Sequence, residues 1–336
     1  MREVVPETAA DYLRAQGRVP EGRAVAVSAL GWGVSNVVMR VDIEGEAPIV
    51  LKQSRERLRT EATWLSRLDR IWTETAALRL LAAVLPVGAV PRVLFDEPED
   101  YLFAMTCAPA DSVVWKEPLL AGKADPGVAR RAGAMLGAMH AGSVGHPALA
   151  GPLAATVVFD QLRVDPFYRT TARAHPELAP RLDALIAGLA GPPETTFVHG
   201  DFSPKNLLVH SQGLTAVDFE TAHAGDPAFD LGFFLSHLLL KAFRAAPDAG
   251  PSLALIRAFW ESYLEGTGLG MDSDRVRRAC EHAAACALAR VDGKSPVDYL
   301  DERQKGQVRR FAVATLRARP GGWDDLLTRA ACEMQT

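Results

Sequence analysis

The sequence predicts an α+β fold of two lobes, a small sheet-plus-helix lobe followed by a larger, mostly helical one. Through the first hundred residues apolar positions alternate with a period of two, as in half-buried strands; beyond Pro109 they recur at helical spacing in one segment after another. A polar loop inside FVHGDFSPKNLLVHSQGLTAVDFE marks where the second lobe carries its chemistry.

In chain order, strands are expected over 25–30, 35–43 and 48–53, with Gly31-Trp32-Gly33 and Glu44-Gly45-Glu46 as the turns between them. A charged and apolar segment, 54–85, ends in TETAALRLLAAVL. There Leu78, Leu81, Ala82 and Leu85 fall on one helical stripe. Strands over 92–95 and 101–105 flank the DEPED turn and complete the sheet. Helices follow over 129–141, 179–189, 229–243, 253–263, 273–290 and 302–317. Between the second and third of these, 195–199 reads as a strand, and 206–210 with 214–219 as a hairpin closed by Ser211-Gln212-Gly213. The division falls at a hinge near 106–110, giving lobes 1–108 and 109–336.

Composition narrows the function classes. With 48% hydrophobic and 23% charged residues the chain is an ordinary globular protein, and a net charge of −4 provides no basic face for nucleic acid. The longest apolar run, LGFFLSHLLL, is broken by Ser236 and His237 and too short to span a bilayer, so no membrane is expected. The charged N-terminus, without an apolar core, does not read as a secretory signal, and Cys107, Cys280, Cys286 and Cys332 form no CxxC pair. A cytoplasmic monomer or homodimer is expected.

The loop supplies the groups that phosphoryl transfer requires. Asn206 at the start of one hairpin strand and Asp218 near the end of the other come together, so that an amide oxygen and a carboxylate can share Mg²⁺, while Asp201 projects toward an incoming hydroxyl. Upstream, the glycines of Gly31-Trp32-Gly33-Val34-Ser35-Asn36 allow backbone N–H groups close approach to phosphate, and Ser35 adds a hydroxyl.

His-Gly-Asp, four residues, Asn, then Asp-Phe-Glu and GDPAFDL resembles the aminoglycoside phosphotransferase and choline kinase superfamily, which has a protein-kinase-like fold. The resemblance covers nearly the whole chain. It implies that Gly33 and Ser35 fold over the phosphates of ATP, with GTP an alternative, and that Lys52 in IVLKQ neutralises phosphate charge while a helix glutamate orients it. Glu74, opening the apolar helix, is favoured over Glu61 as that partner. It further implies that Met105, Thr106 and Ala108 line the adenine hinge, Asp201 is the catalytic base, Asn206 and Asp218 hold Mg²⁺, His199 braces the loop, and Asp230 anchors it. Asp226 is expected to cap a helix, and His140 to be structural.

HGD in place of HRD, Asp-Phe-Glu in place of Asp-Phe-Gly and the lack of an Ala-Pro-Glu segment disfavour a protein kinase. A pseudokinase would commonly have lost one of Lys52, Asp201, Asn206 and Asp218, and all four are present. The chain therefore reads as a small-molecule kinase, with an aminoglycoside or choline kinase as the alternative. VLKQ, the insert before RIWTE, SHLLLKAF and the RVDGK turn give a partial resemblance to methylthioribose kinases, although those usually carry Asp-Pro-Glu at the metal position. The acceptor is expected to be a small, largely neutral sugar-like or polyol alcohol bound by Arg290, Asp292 and Glu220.

Overall fold

The computed structural model describes residues 1–31, 36–55, 67–270 and 273–336. After helix α1 (Pro6–Ala15) come β1 (Val25–Ala29), β2 (Asn36–Ile43), β3 (Ile49–Ser54), α2 (Arg70–Val84), β4 (Val93–Glu97) and β5 (Leu102–Thr106). The strands form one antiparallel sheet in the order β1-β2-β3-β5-β4, with Lys52 opposite Val38 and Phe103. Alternation along β3 sends neighbouring side chains to opposite faces. Lys52 turns toward α2. Gln53 turns toward the N-terminal segment, where its amide accepts from the Val4 N–H (2.9 Å) and donates to the Asp100 carbonyl (2.8 Å). Val4, Leu13, Val41, Leu51 and Ala104 build a core between α1 and the sheet.

The second lobe is mostly helical. A two-residue strand, β6 (Val113–Val114), and α3 (Lys116–Leu120) lead into α4 (Pro126–Ser143), started by Pro126 and by Asp125, which accepts from the Gly127 N–H (2.8 Å). α5 (Val157–Phe159) runs into a π-helical stretch (Asp160–Arg169) and α6 (Thr170–Ala174), and α7 (Ala179–Ala190) precedes β7 (Thr196–Val198). The hairpin β8 (Leu207–His210) and β9 (Gly213–Ala216) follows, then β10 (His223–Gly225), α8 (Pro227–Ala245), α9 (Gly250–Thr267), α10 (Asp274–Asp292), α11 (Glu302–Arg317) and α12 (Trp323–Met334).

α4 packs along α9 and α8 along α10. At Gly232 a Cβ would lie 2.6 Å from the Ala279 carbonyl, so the close approach of α8 to α10 requires glycine. The expected strands and helices are present with ends shifted by a few residues. The second hairpin strand stops at Ala216, before the chain turns at Asp218, whose φ is +69°. All four cysteines are free thiols. Among the described residues no helix is long and apolar enough to cross a membrane.

Histidines 140, 199, 223 and 282 are buried, and burial pushes each below the ordinary imidazole value, His282 to about 4. Unfolding frees them to bind protons that the folded state refuses. Stability is therefore complete above the unfolded value of ~6.5 and is lost as pH falls below it, by roughly 3 kcal/mol at His282 alone. The urea midpoint is predicted to drop between pH 7 and 5; an unchanged or higher midpoint at pH 5 would contradict this.

Candidate active site

The site is built around the loop joining β7 to β8. Gly200 takes φ +75°, and a Cβ there would lie 2.6 Å from the Thr221 carbonyl, so the sharp turn after His199 accepts only glycine. The turn aims two backbone donors at Asp230 of α8, whose carboxylate accepts the His199 N–H (2.6 Å) and the Gly200 N–H (2.9 Å). His140 adds a contact at 3.4 Å and is itself held by the Tyr263 hydroxyl (2.9 Å). His199 Nδ1 accepts the Asp201 N–H (3.2 Å) while its ring lies tilted against Phe219 at 4.5 Å, bracing the loop without a charge. Asp226 caps α8 through the Ala228 N–H (3.0 Å) and pairs with Arg278.

Asp201 is buried but heavily engaged. Its Oδ1 meets Arg163 (2.7 Å), and its Oδ2 meets Lys205 (2.8 Å) and the Asn206 amide (2.9 Å). Burial pushes its carboxyl up, but Arg163 and Lys205 outweigh burial and hold it below the ordinary carboxylate value. Neither cation was expected in this place. Lys205 stands next to Asn206 in the sequence, and the 3₁₀ turn Pro204–Asn206 carries it back over the aspartate.

Arg163 lies in the π-helical stretch, whose backbone bonds run five residues back. Its Nη1 donates to the neighbouring Leu162 carbonyl (2.7 Å) and its Nε to the Gly200 carbonyl (2.6 Å). These two bonds fix the guanidinium against the loop.

Because the Asn206 amide nitrogen is spent on Asp201, its oxygen is left for a cation, and the Val217 N–H donating to the Asn206 carbonyl (3.0 Å) brings Asp218 alongside. Lys52 spans the lobes, with Nζ 2.7 Å from Glu74 and 2.9 Å from Asp218. Burial pushes the Asp218 carboxyl up, but Lys52 and Lys205 outweigh it and hold the group ionised; burial pushes Glu74 up against the pull of Lys52. Asp218 is 30% exposed where Lys52 and Glu74 are 5% and 1%, so it is the member of the trio open to the cleft. Among the described residues no group of three His, Cys, Asp or Glu converges as a metal site. The Asn206–Asp218 pair suits Mg²⁺, which takes few protein oxygens and completes its shell with phosphate and water.

Other expected residues divide. At the hinge, Met105 is buried, Thr106 exchanges hydrogen bonds with the Arg92 backbone (2.9 Å each), and the Ala108 N–H has no hydrogen-bond partner among the described residues. Gly33, Ser35 and Glu61 lie outside the described residues. Glu220, expected to bind acceptor, is held instead by Asn36 (2.9 Å) and the fully buried Arg70 (3.1 Å) of the first lobe. Asp292 is also committed elsewhere, to His175 (2.8 Å) and Arg309 (2.7 Å). Arg290 and Asp292, two residues apart on α10, point roughly 200° from each other about the helix axis and cannot grip one ligand.

The family profile described as "Phosphotransferase enzyme family" matches residues 26–268. The chain belongs to that family. As a member it is a phosphotransferase with an alcohol group as acceptor. A methylthioribose kinase of Geobacillus sp. (strain WCH70) is 24% identical over 274 residues, 74% of this chain and 68% of the relative. Among solved structures, a choline/ethanolamine kinase family protein from Mesorhizobium loti aligns over 96% of this chain and 99% of its own at 18% identity and TM-score 0.57. The macrolide 2'-phosphotransferase of Brachybacterium faecium aligns over 96% of both at 21% identity and TM-score 0.55. These similarities establish the kinase-like fold.

Replacing Arg163 by Met removes a cation that lowers Asp201 while leaving the burial that raises it. The Asp201 carboxyl carbon, followed by NMR, is predicted to titrate at higher pH in Arg163→Met than in the parent; an unchanged or lower titration would refute the assigned contact.

Proposed function

We propose that this phosphotransferase is an ATP- and Mg²⁺-dependent small-molecule kinase that moves the γ-phosphoryl group to a hydroxyl of a sugar-like acceptor. The observation that carries the reading is the joint presence of Lys52, Glu74, Asp201, Asn206 and Asp218 in one cleft, each held by another member or by the loop. A nucleotide-binding module without catalysis has no use for an aspartate ionised and oriented apart from the metal pair.

In the reaction, the acceptor oxygen forms a bond to the γ-phosphorus as the bond to the ADP oxygen breaks, and the hydroxyl proton passes to Asp201. A carboxylate held below its ordinary value is a weak base, so Asp201 orients the hydroxyl and takes the proton late in a loose transition state. Lys52, directed by Glu74, meets phosphate charge. The free Ala108 N–H and the hinge at Met105 and Thr106 suit a purine edge, adenine by preference with guanine tolerated. Mg²⁺ on Asn206 and Asp218 would draw charge from the transferring group. Residues 1–108 then supply the nucleotide side and 109–336 the acceptor side. Arg163 and Lys205 beside Asp201 argue against polycationic aminoglycosides and against choline as acceptors. A cytoplasmic setting fits the four free thiols.

Calorimetry is predicted to show ATP binding strengthened by Mg²⁺, and to lose that strengthening in Asp218→Ala. With an acceptor from a coupled-assay screen, Asp201→Asn is predicted to keep ATP affinity and lower kcat by ~10²-fold or more. Absence of purine nucleotide binding at millimolar concentration would remove the kinase reading, and near-parental turnover by Asp201→Asn would remove the assigned base.

A further inference from the structure

Phe233, His237 and Lys241 follow one another at four-residue intervals on a single face of α8, so they form a row along the helix about 12 Å long. The row begins at the catalytic aspartate. Arg163, bound to Asp201, lies 5.3 Å over the Phe233 ring, and His237 meets the same ring edge-on at 4.9 Å. It ends at Lys241, whose Nζ lies 5.6 Å from the Tyr299 ring. Arg290, at the end of α10, lies on the helix packed along α8, and its carbonyl and guanidinium hold the 295–297 turn that leads to Tyr299.

Two of these cations, the buried Lys241 and the half-buried Arg290, are incompletely satisfied. Lys241 is 6% exposed, and its ammonium donates only to the His237 carbonyl (3.1 Å), a neutral acceptor. Arg290 donates through Nη1 to the backbone and hydroxyl of Ser295, while its buried Nε has no partner. Among the described residues neither makes an ion pair with a carboxylate. Burial, together with Lys116, Arg290 and Arg244, pushes Lys241 down to about 7, and no acidic group offsets this. Withdrawing charges from water without an opposite charge is strongly unfavourable. Such a pair marks a place where a ligand would supply the missing charge.

We propose that the acceptor carries an anionic group, a carboxylate or a phosphate, that binds between Lys241 and Arg290 while its hydroxyl meets Asp201. This rests on the reading of Asp201 as the acceptor-side carboxylate, and it replaces the expected neutral alcohol with a hydroxy acid or a sugar phosphate. The near-neutral balance of the second lobe concealed the local excess of positive charge.

The test uses matched three- to six-carbon acceptors in three forms: neutral polyol, the corresponding hydroxy acid and the corresponding phosphate ester. Binding is measured by calorimetry in the presence of Mg²⁺ and a non-hydrolysable ATP analogue, and turnover by coupled assay. An acid or ester is expected to bind at least ~10-fold more tightly than its neutral counterpart, with the two arms deciding between carboxylate and phosphate. Lys241→Met and Arg290→Met are each expected to weaken that anion on the order of 10- to 100-fold. Lys241→Met should melt no lower than the parent, since it replaces an unpaired buried charge by an apolar side chain of similar volume. Preference for neutral polyols, absence of binding by every acid and ester, or unchanged anion affinity in both variants would overturn the proposal. Anion binding without phosphorylation would leave the anion site standing and sink the kinase reading. Turnover confined to neutral acceptors would do the reverse.

Discussion

The buried carboxylate of Asp230 is the contact on which the arrangement of the cleft depends. It is fully removed from water, where an unpaired charge would be prohibitive, and is held ionised by the His199 and Gly200 N–H groups and by His140. Those donors belong to the loop that carries Asp201, so satisfying Asp230 and positioning Asp201 are a single act. The chain continues outward through His140 to Tyr263 of α9 and Arg275 of α10, tying the loop to the helices behind it. Gly200 is the only residue type that lets the loop present both donors at once.

Charge is then distributed in three layers around this loop. On the nucleotide side, Lys52 lies between Glu74 and Asp218, and Glu220 is neutralised by Arg70, which leaves Asp218 as the carboxylate facing the cleft. At the centre, Asp201 is bracketed by Arg163 and Lys205. Beyond Asp201 the row along α8 passes the neutral His237 and leads to the cations Lys241 and, on α10, Arg290. A phosphoryl donor with its metal, and the anionic acceptor proposed above, would complement this sequence of fields.

Much of this was legible in the sequence because it rests on local patterns. The HGD turn and the hairpin that brings Asn206 toward Asp218 follow from short spacings on predicted elements, whereas the partnership of Glu74 with Lys52 and the role of Asp230 were implied by the family resemblance. What escaped depends on tertiary packing. Arg163 gave no signal, since its place follows from a π-helical stretch whose effect on side-chain direction is not a matter of periodicity. Pairing Arg290 with Asp292 treated neighbours in sequence as neighbours in space, which a helix forbids at that interval. α1 and α12, at the two ends of the chain, went unread because their stripes are short and their partners distant.

A crystal structure with Mg²⁺ and a non-hydrolysable ATP analogue tests the central claim most directly. The account predicts the metal bound by Asn206 and Asp218, the phosphates met by Lys52, and the terminal phosphate directed toward Asp201 with Asp230 still holding the loop. A nucleotide bound outside this cleft, or a metal bound without either Asn206 or Asp218, would contradict it.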